Sequence, residues 1–298
     1  MRYRTSHFYA ICTIFLWASA YVFTKVALNY YTVFSLGFLR YFVASVVLII
    51  VASLQKIGLP DFKDIPKFIL SGLLGFTLYM ITFNIGSKTL SSTTSSLIIS
   101  SVPILTALIA SVSLKERLGA LSWIAILIEF SGILVLTLWN GILSINAGVL
   151  WMLGAALLLS CYNITQRQYT KKYTAFQSTT YSIVAGTVFL CIFSPEAITQ
   201  IIQAPVNQIL VVIYLGIFPS AIAYICWSKA LSIAEKTSDV SNYMFVTPLL
   251  SMILGYIVIL EVPDIETCIG GSVILFGLLI FNYSRKKAGS QQAGKESI

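Results

Sequence analysis

Apolar residues run along this chain in ten long stretches, at about 8–28, 33–53, 68–87, 93–113, 120–138, 148–166, 175–193, 209–229, 238–259 and 265–283, each bounded by polar or turn-forming residues. A helix of about 20 apolar residues crosses the hydrocarbon of a bilayer, whereas a barrel strand needs only about ten. The pattern predicts an all-α integral membrane protein with ten transmembrane helices and short links. The first stretch, with Arg2 and Arg4 before it and Ala18-Ser19-Ala20 near its end, imitates a signal peptide and its cleavage site. Cleavage would remove a helix that the internal repeat described below requires, so the stretch is read as the first crossing.

The polar residues between the runs orient the chain. With the N-terminus in the cytoplasm, 16 of the 19 Lys and Arg fall in the two tails and the even-numbered links, leaving Lys25, Arg40 and Lys88. Positive charge collects on the cytoplasmic side of membrane proteins. Both termini are therefore expected inside a cell (plasma or inner) membrane, while Glu261, Asp264 and Glu266 gather in an outer link.

Composition adds what the chain is not. It is 57% hydrophobic and 10% charged, with a mean hydropathy of +0.88. A water-soluble surface needs roughly 25% charged residues, and 298 residues holding ten spans leave no room for a sizeable soluble domain. The net charge of +8 belongs to cytoplasmic links facing lipid headgroups, not to a nucleic-acid surface. Cys12, Cys161, Cys191, Cys226 and Cys268 are scattered through apolar runs without paired spacing and read as small hydrophobes. No GxxxxGK[ST], HExxH or Cys/His cluster points to ATP hydrolysis, a metal or another cofactor, and no buried base accompanies a membrane serine. An enzyme is not expected.

The two halves repeat. Gly75, Lys88 and Leu90 match Gly216, Lys229 and Leu231 at an offset of 141, and Pro103, Glu116 and Gly132 match Pro248, Glu261 and Gly277 at 145. Lys25 pairs with Arg167 at 142. Five helices per copy is an odd number, so the second copy enters the membrane from the opposite side. Inverted repeats suit secondary transporters, in which two related halves open in turn to either face. The expected units are 1–146 and 147–284, followed by a basic cytoplasmic tail at 285–298.

The ordered motifs carry a family resemblance. Trp17-Ala18-Ser19 late in the first helix, Phe38-Leu39-Arg40-Tyr41-Phe42 in the second, and Pro103, then Leu114-Lys115-Glu116-Arg117-Leu118, then Gly132, with a weaker second copy at Pro248, Glu261 and Gly277, resemble the drug/metabolite transporter superfamily and its EamA-type members. The resemblance covers nearly the whole chain. It implies a basket-shaped exporter of small metabolites, often amino acids. The second copy departs from the pattern at Val262-Pro263-Asp264, so it does not imply one job for both glutamates.

Stripes of small and polar residues mark the protein-facing sides of membrane helices. Such stripes occur at Gly72, Gly75, Tyr79, Thr82, Gly86 and, in the other copy, at Gly216, Ser220, Ala223, Trp227, Ala230; the fourth and ninth helices show Ser96, Pro103, Thr106, Ala110 and Ser241, Pro248, Ser251, Gly255. With Thr13, Trp17, Ala20 and Thr24 of the first helix and Ala155, Tyr162, Asn163 and Gln166 of the sixth, they predict one central cavity. Its candidate substrate-binding residues are Trp17, Tyr79, Thr82, Tyr162, Asn163, Gln166, Trp227 and Asn242, a lining suited to a small zwitterionic or amphipathic solute.

Few charges lie away from the links. Glu129, midway along the fifth helix, is a candidate proton-coupling site or a neutral acid bonded to a neighbouring helix. Arg40, two turns into the second helix, offers a planar fork to a substrate carboxylate or else snorkels or bonds a carbonyl. Lys25 is expected to snorkel. Pro103 and Pro248 each remove a mid-span hydrogen bond, giving a gating pivot or a fixed kink. Glu116 and Asp239 are expected to cap or pair near helix starts, and His7 sits at the interface. The sequence thus points to a secondary transporter exporting a small metabolite such as an amino acid, with import, or a membrane enzyme or lipid-handling role for the same cavity, as the alternatives.

Overall fold

The computed structural model describes residues 2–113, 115, 118–139, 146–233 and 242–296. Among these residues every regular element is helical. Among the described residues nine helices are long and apolar enough to cross a membrane: Ser6–Leu28, Val33–Leu54, Phe62–Thr89, Ser92–Ser113, Ala120–Leu138, Ala147–Gln166, Ala175–Gln203, Val206–Trp227 and Ile265–Ser284. A shorter apolar helix, Thr247–Ile259, stands between the last two. In chain order these are spans 1 to 10, the short helix being span 9. Glu116 and Asp239 lie outside the described residues.

The links are short because side chains cap the next helix at once. Thr32 accepts the backbone N–H of Ser35 at the start of span 2, and Ser91 that of Thr94 at the start of span 4. Thr174 and Gln177 form a reciprocal capping box at the start of span 7.

Four spans are irregular, in two matching pairs. Spans 3 and 8 each contain a wide π turn, Leu73–Leu78 and Phe218–Ile222. Pro219 lacks the N–H that an α-helix would use there, and the extra residue in the turn relieves its ring clash. Span 4 breaks at Ser100–Ser101 between Ser92–Ile99 and Val102–Ser113, and a 3-10 turn, Asn242–Val246, precedes span 9. Pro103 and Pro248 therefore sit in the first turn of a new helix, where a missing N–H costs little. Carbonyls released inside lipid need new donors. The hydroxyls of Ser100 and Ser101 donate to Leu97 O and Ile98 O, each at 2.6 Å, and Ser160 of span 6 donates to Val102 O at 3.2 Å.

Packing crosses the repeat. Span 1 lies on spans 8 and 9, and span 6 on spans 3 and 4; span 2 lies on spans 7 and 8, and span 3 on span 7; spans 5 and 10 pair along their length. Adding or subtracting five maps each of these pairs onto another or onto itself, as the two inverted five-helix copies require. Backbones meet directly where side chains are missing. A Cβ on Gly132 would sit 2.7 Å from Gly270 O, and one on Gly72 would sit 2.6 Å from Gly186 N.

Candidate functional site

The crossed packing encloses a cavity of about 780 Å³ between the halves. Span 1 contributes Trp17 and Tyr21, span 2 Arg40 and Tyr41, span 3 Tyr79 and Phe83, and span 8 Pro219, Tyr224 and Trp227. Pro103 and Thr106 of span 4 and Tyr162, Asn163 and Gln166 of span 6 complete the polar side, and the cavity runs on to Thr170 and Ala175 at the link between spans 6 and 7.

Of the eight residues the sequence nominates, Trp17, Tyr79, Tyr162, Asn163, Gln166 and Trp227 line this space. Thr82 does not: its hydroxyl donates back to Leu78 O and Tyr79 O of its own helix, at 2.9 and 3.0 Å. The side chain of Asn242 lies outside the described residues. Pro103 lines the cavity, whereas Pro248 is buried away from it. Sequence reasoning misses Tyr21 and Tyr224, although each shares a face with a nominated tryptophan, four residues after Trp17 and three before Trp227. It also misses Tyr41 and Phe83.

Aromatic rings form most of the wall. Trp17 lies 5.5 Å from Tyr224 and 5.2 Å from Trp227 between ring centroids, and Phe83 lies 5.6 Å from both Tyr21 and Tyr79. On the polar side, the Gln166 amide N–H donates to the Tyr162 hydroxyl at 2.6 Å and to Thr179 Oγ1 at 3.0 Å.

Arg40 is the one charged residue lining the cavity among the described residues. It is 8% exposed and keeps neutral company: Nε donates to Ser220 Oγ at 2.7 Å and Nη1 to Thr24 Oγ1 at 3.3 Å, with the guanidinium 6.0 Å from the Tyr41 ring centre. No ion pair among the described residues includes it. A guanidinium has five N–H donors in a fork matched to a carboxylate. Two hydroxyls fix the ring of donors and leave part of the fork for a solute.

Glu129 lies elsewhere. It is fully buried where spans 5 and 10 meet, its backbone against Gly277, and neither carboxyl oxygen has a hydrogen-bond partner among the described residues. It does not line the cavity.

Lys25 overturns the expectation that it snorkels. Its Nζ donates to Glu261 Oε1 at 2.7 Å and to Leu90 O at 2.9 Å. Glu261 Oε2 in turn accepts the Ser92 backbone N–H at 2.8 Å and the Ser92 hydroxyl. Meeting a carboxylate outweighs extension toward water because a half-buried ammonium recovers there what it loses in hydration. Burial raises the Glu261 carboxyl, but the hydrogen bonds from Lys25 and Ser92 outweigh it and hold the group below the ordinary glutamate range. Leu260 aims this carboxylate: it adopts the left-handed conformation (φ 53°, ψ 32°), closing span 9 with Glu261 N–H on Gly255 O at 3.1 Å.

A second charged cluster ties the opposite ends of the halves. Asp64 accepts from Lys67 and Lys172, each at 2.6 Å, and from the Tyr173 hydroxyl at 2.8 Å; Lys172 also pairs with Asp61. Hydrogen bonds to Asp61 and Asp64 hold the Lys172 ammonium above the ordinary lysine range.

Comparison with known proteins sets this arrangement among relatives. The model of the EamA-like transporter family matches residues 4–138 and again 146–283. An uncharacterized transporter, YdfC of Bacillus subtilis, is 33% identical over 90% of this chain and 87% of its own. A probable terminal-alkyne amino-acid exporter of Streptantibioticus cattleyicolor is 29% identical over 91% of each, and an S-adenosylmethionine uptake transporter of Rickettsia bellii is 27% identical over 87% of each. A crystal structure of a protein 18% identical in sequence aligns with a TM-score of 0.60 over 94% of this chain and 96% of that one, a likeness of fold.

Proposed function

Because the chain belongs to the EamA-like transporter family and is a multi-pass membrane transporter, we propose that its solute is a small α-amino carboxylate, exported by alternating access through the cavity between the repeats. The observation that carries this reading is Arg40, a buried cation with only hydroxyl partners in an otherwise uncharged, aromatic space. The guanidinium takes the carboxylate, and the rings of Trp17, Tyr224 and Trp227 accommodate the ammonium and the side chain. The names of two relatives agree chemically, since an amino acid and S-adenosylmethionine both carry an α-amino carboxylate.

Direction is the finer part of the proposal. Export in the cell membrane, with both termini in the cytoplasm, follows the resemblance and the placement of Lys and Arg; the uptake transporter among the relatives favours import as the second reading. Glu129, enclosed by apolar helix faces away from the cavity, is proposed as a structural acid, so any proton coupling resides elsewhere. The test compares amino acids accumulating outside cells with and without the protein, then measures flux of the responders into liposomes with and without a pH gradient. Turnover without net flux would overturn transport of these solutes in favour of an enzyme. A Glu129→Gln variant that loses its response to the gradient would return coupling to Glu129.

A further inference from the structure

The cavity is not alike at its two ends. At one end it continues past Gln166 to Thr170, an exposed residue in the link between spans 6 and 7. Toward the other end its lining includes Tyr21, Phe83 and Ser96. One turn beyond Tyr21 lies Lys25, and the polar cluster around it joins four chain segments whose helices wall the cavity. These are the last turn of span 1, the end of span 3 at Leu90, the start of span 4 at Ser92, and the second residue after span 9, Glu261.

We infer that the Lys25–Glu261–Ser92 cluster is the latch that closes the cavity on the side away from the 6–7 link, and that it comes apart for the solute to pass there. The inference rests on alternating access through this cavity but needs no particular solute.

Three features make the cluster suited to two states. First, Glu261 binds Lys25 and Ser92 from the other repeat, 236 and 169 positions away in the chain, so these bonds constrain movement between the repeats. Second, the pair keeps some access to water, chiefly at its cation: the Lys25 side chain is 31% exposed and that of Glu261 11%. Both groups can rehydrate when they part, which a fully buried pair cannot do cheaply. Third, the neighbouring packing is slim. Gly255 leaves room for the Ser92 hydroxyl, which a Cβ would approach to 2.8 Å, and hydroxyls continue beside it: Ser251 donates to Ser92 O at 3.2 Å, and Thr94 meets Thr267 at 2.7 Å. Such hydroxyls exchange their partners for water when the segments part.

The orientation read from the charges puts this latch on the outer side and the 6–7 link inside. The test is side-specific access to the cavity. An Ala20→Cys reporter, at a lining position below the latch, is exposed in right-side-out and inverted vesicles to a membrane-impermeant thiol reagent, and modification is read by mass spectrometry at residue 20. With the latch intact, labelling comes mainly from the side of the 6–7 link. Lys25→Met and Glu261→Gln should each raise labelling from the latch side about tenfold, in the range of ordinary conformational couplings. Ser92→Ala, which removes one donor and leaves the ion pair, keeps the question answerable if the single charge variants fail to fold, and should raise labelling several-fold. Unchanged latch-side labelling in the folded Lys25→Met, Glu261→Gln and Ser92→Ala variants overturns the latch. Because no solute is used, that result leaves the proposed substrate standing, while a failed flux assay leaves the latch standing.

Discussion

The most direct test of the cavity's chemistry is removal of the Arg40 charge. Arg40 commits Nε to Ser220 and one Nη1 hydrogen to Thr24, which leaves enough of its five donors for a two-point contact with a carboxylate. Hydrogen bonds to charged groups contribute about 1.5–3 kcal/mol each. Two of them, less the cost of taking the carboxylate out of water, leave about 2–4 kcal/mol, or roughly a 30- to 700-fold loss of affinity in Arg40→Met. Arg40→Lys keeps the charge without the fork and should fall in between. Ser220→Ala frees the Nε anchor and should cost about tenfold. The assay is competition for flux in liposomes by a transported amino acid and by the amine that remains after its carboxylate is removed. Arg40→Met should weaken the acid steeply and the amine hardly at all. Equal losses for both, in a variant that melts like the parent in detergent, would refute Arg40 as the carboxylate site and leave it a tie between spans 1, 2 and 8.

Glu129→Leu should raise stability by about 1–3 kcal/mol in a reversible unfolding assay in mixed micelles, because it removes two buried oxygens that lack partners; a loss of stability would mean that the acid has a partner the fold relies on. Gly132→Ala places a methyl 2.7 Å from Gly270 O and should cost about 1–3 kcal/mol by the same assay, while transport by the folded fraction stays within twofold. The pH dependence follows from Glu261, whose folded carboxyl titrates below the ordinary glutamate value of about 4.3. A group depressed on folding contributes fully above its unfolded pKa and is lost as pH falls through the folded one. Stability should therefore decline on acidification below about pH 4, and Glu261→Gln should flatten that limb of the profile; an unchanged limb would show that the pair contributes nothing there.

Much of this was legible in the sequence, for physical reasons that differ by residue. Lipid requires long apolar helices, so the spans stand out without any knowledge of packing. Trp17, Tyr162, Asn163 and Trp227 were readable because polar and aromatic groups inside a membrane gather where protein meets protein. Thr82 belongs to the same stripe, but a hydroxyl has a second way to be satisfied, its own helix carbonyl, and periodicity cannot distinguish the two. The pairing of Lys25 was hidden because it depends on which links meet in space. A trace of it existed even so: Lys25 and Glu261 are both positions whose charge recurs in the other copy, at Arg167 and Glu116. Pro103 and Pro248 revealed that two helices are interrupted. Only the folded structure shows that each proline lies in the first turn of a new helix, with the carbonyls of Leu97 and Ile98 ahead of Pro103 taken by Ser100 and Ser101.

The crossed packing also sets an order of events during synthesis. Span 1 leaves the ribosome long before spans 8 and 9, and Arg40 enters the membrane 180 residues ahead of Ser220. At about 5–20 residues per second, the 236 residues between Lys25 and Glu261 represent a wait of roughly 12–47 s. For that time two cations of the nascent chain must be hosted by water, lipid headgroups or the insertion machinery. The Lys25–Glu261 bond is then among the last contacts to form, so its appearance would report that both halves have arrived.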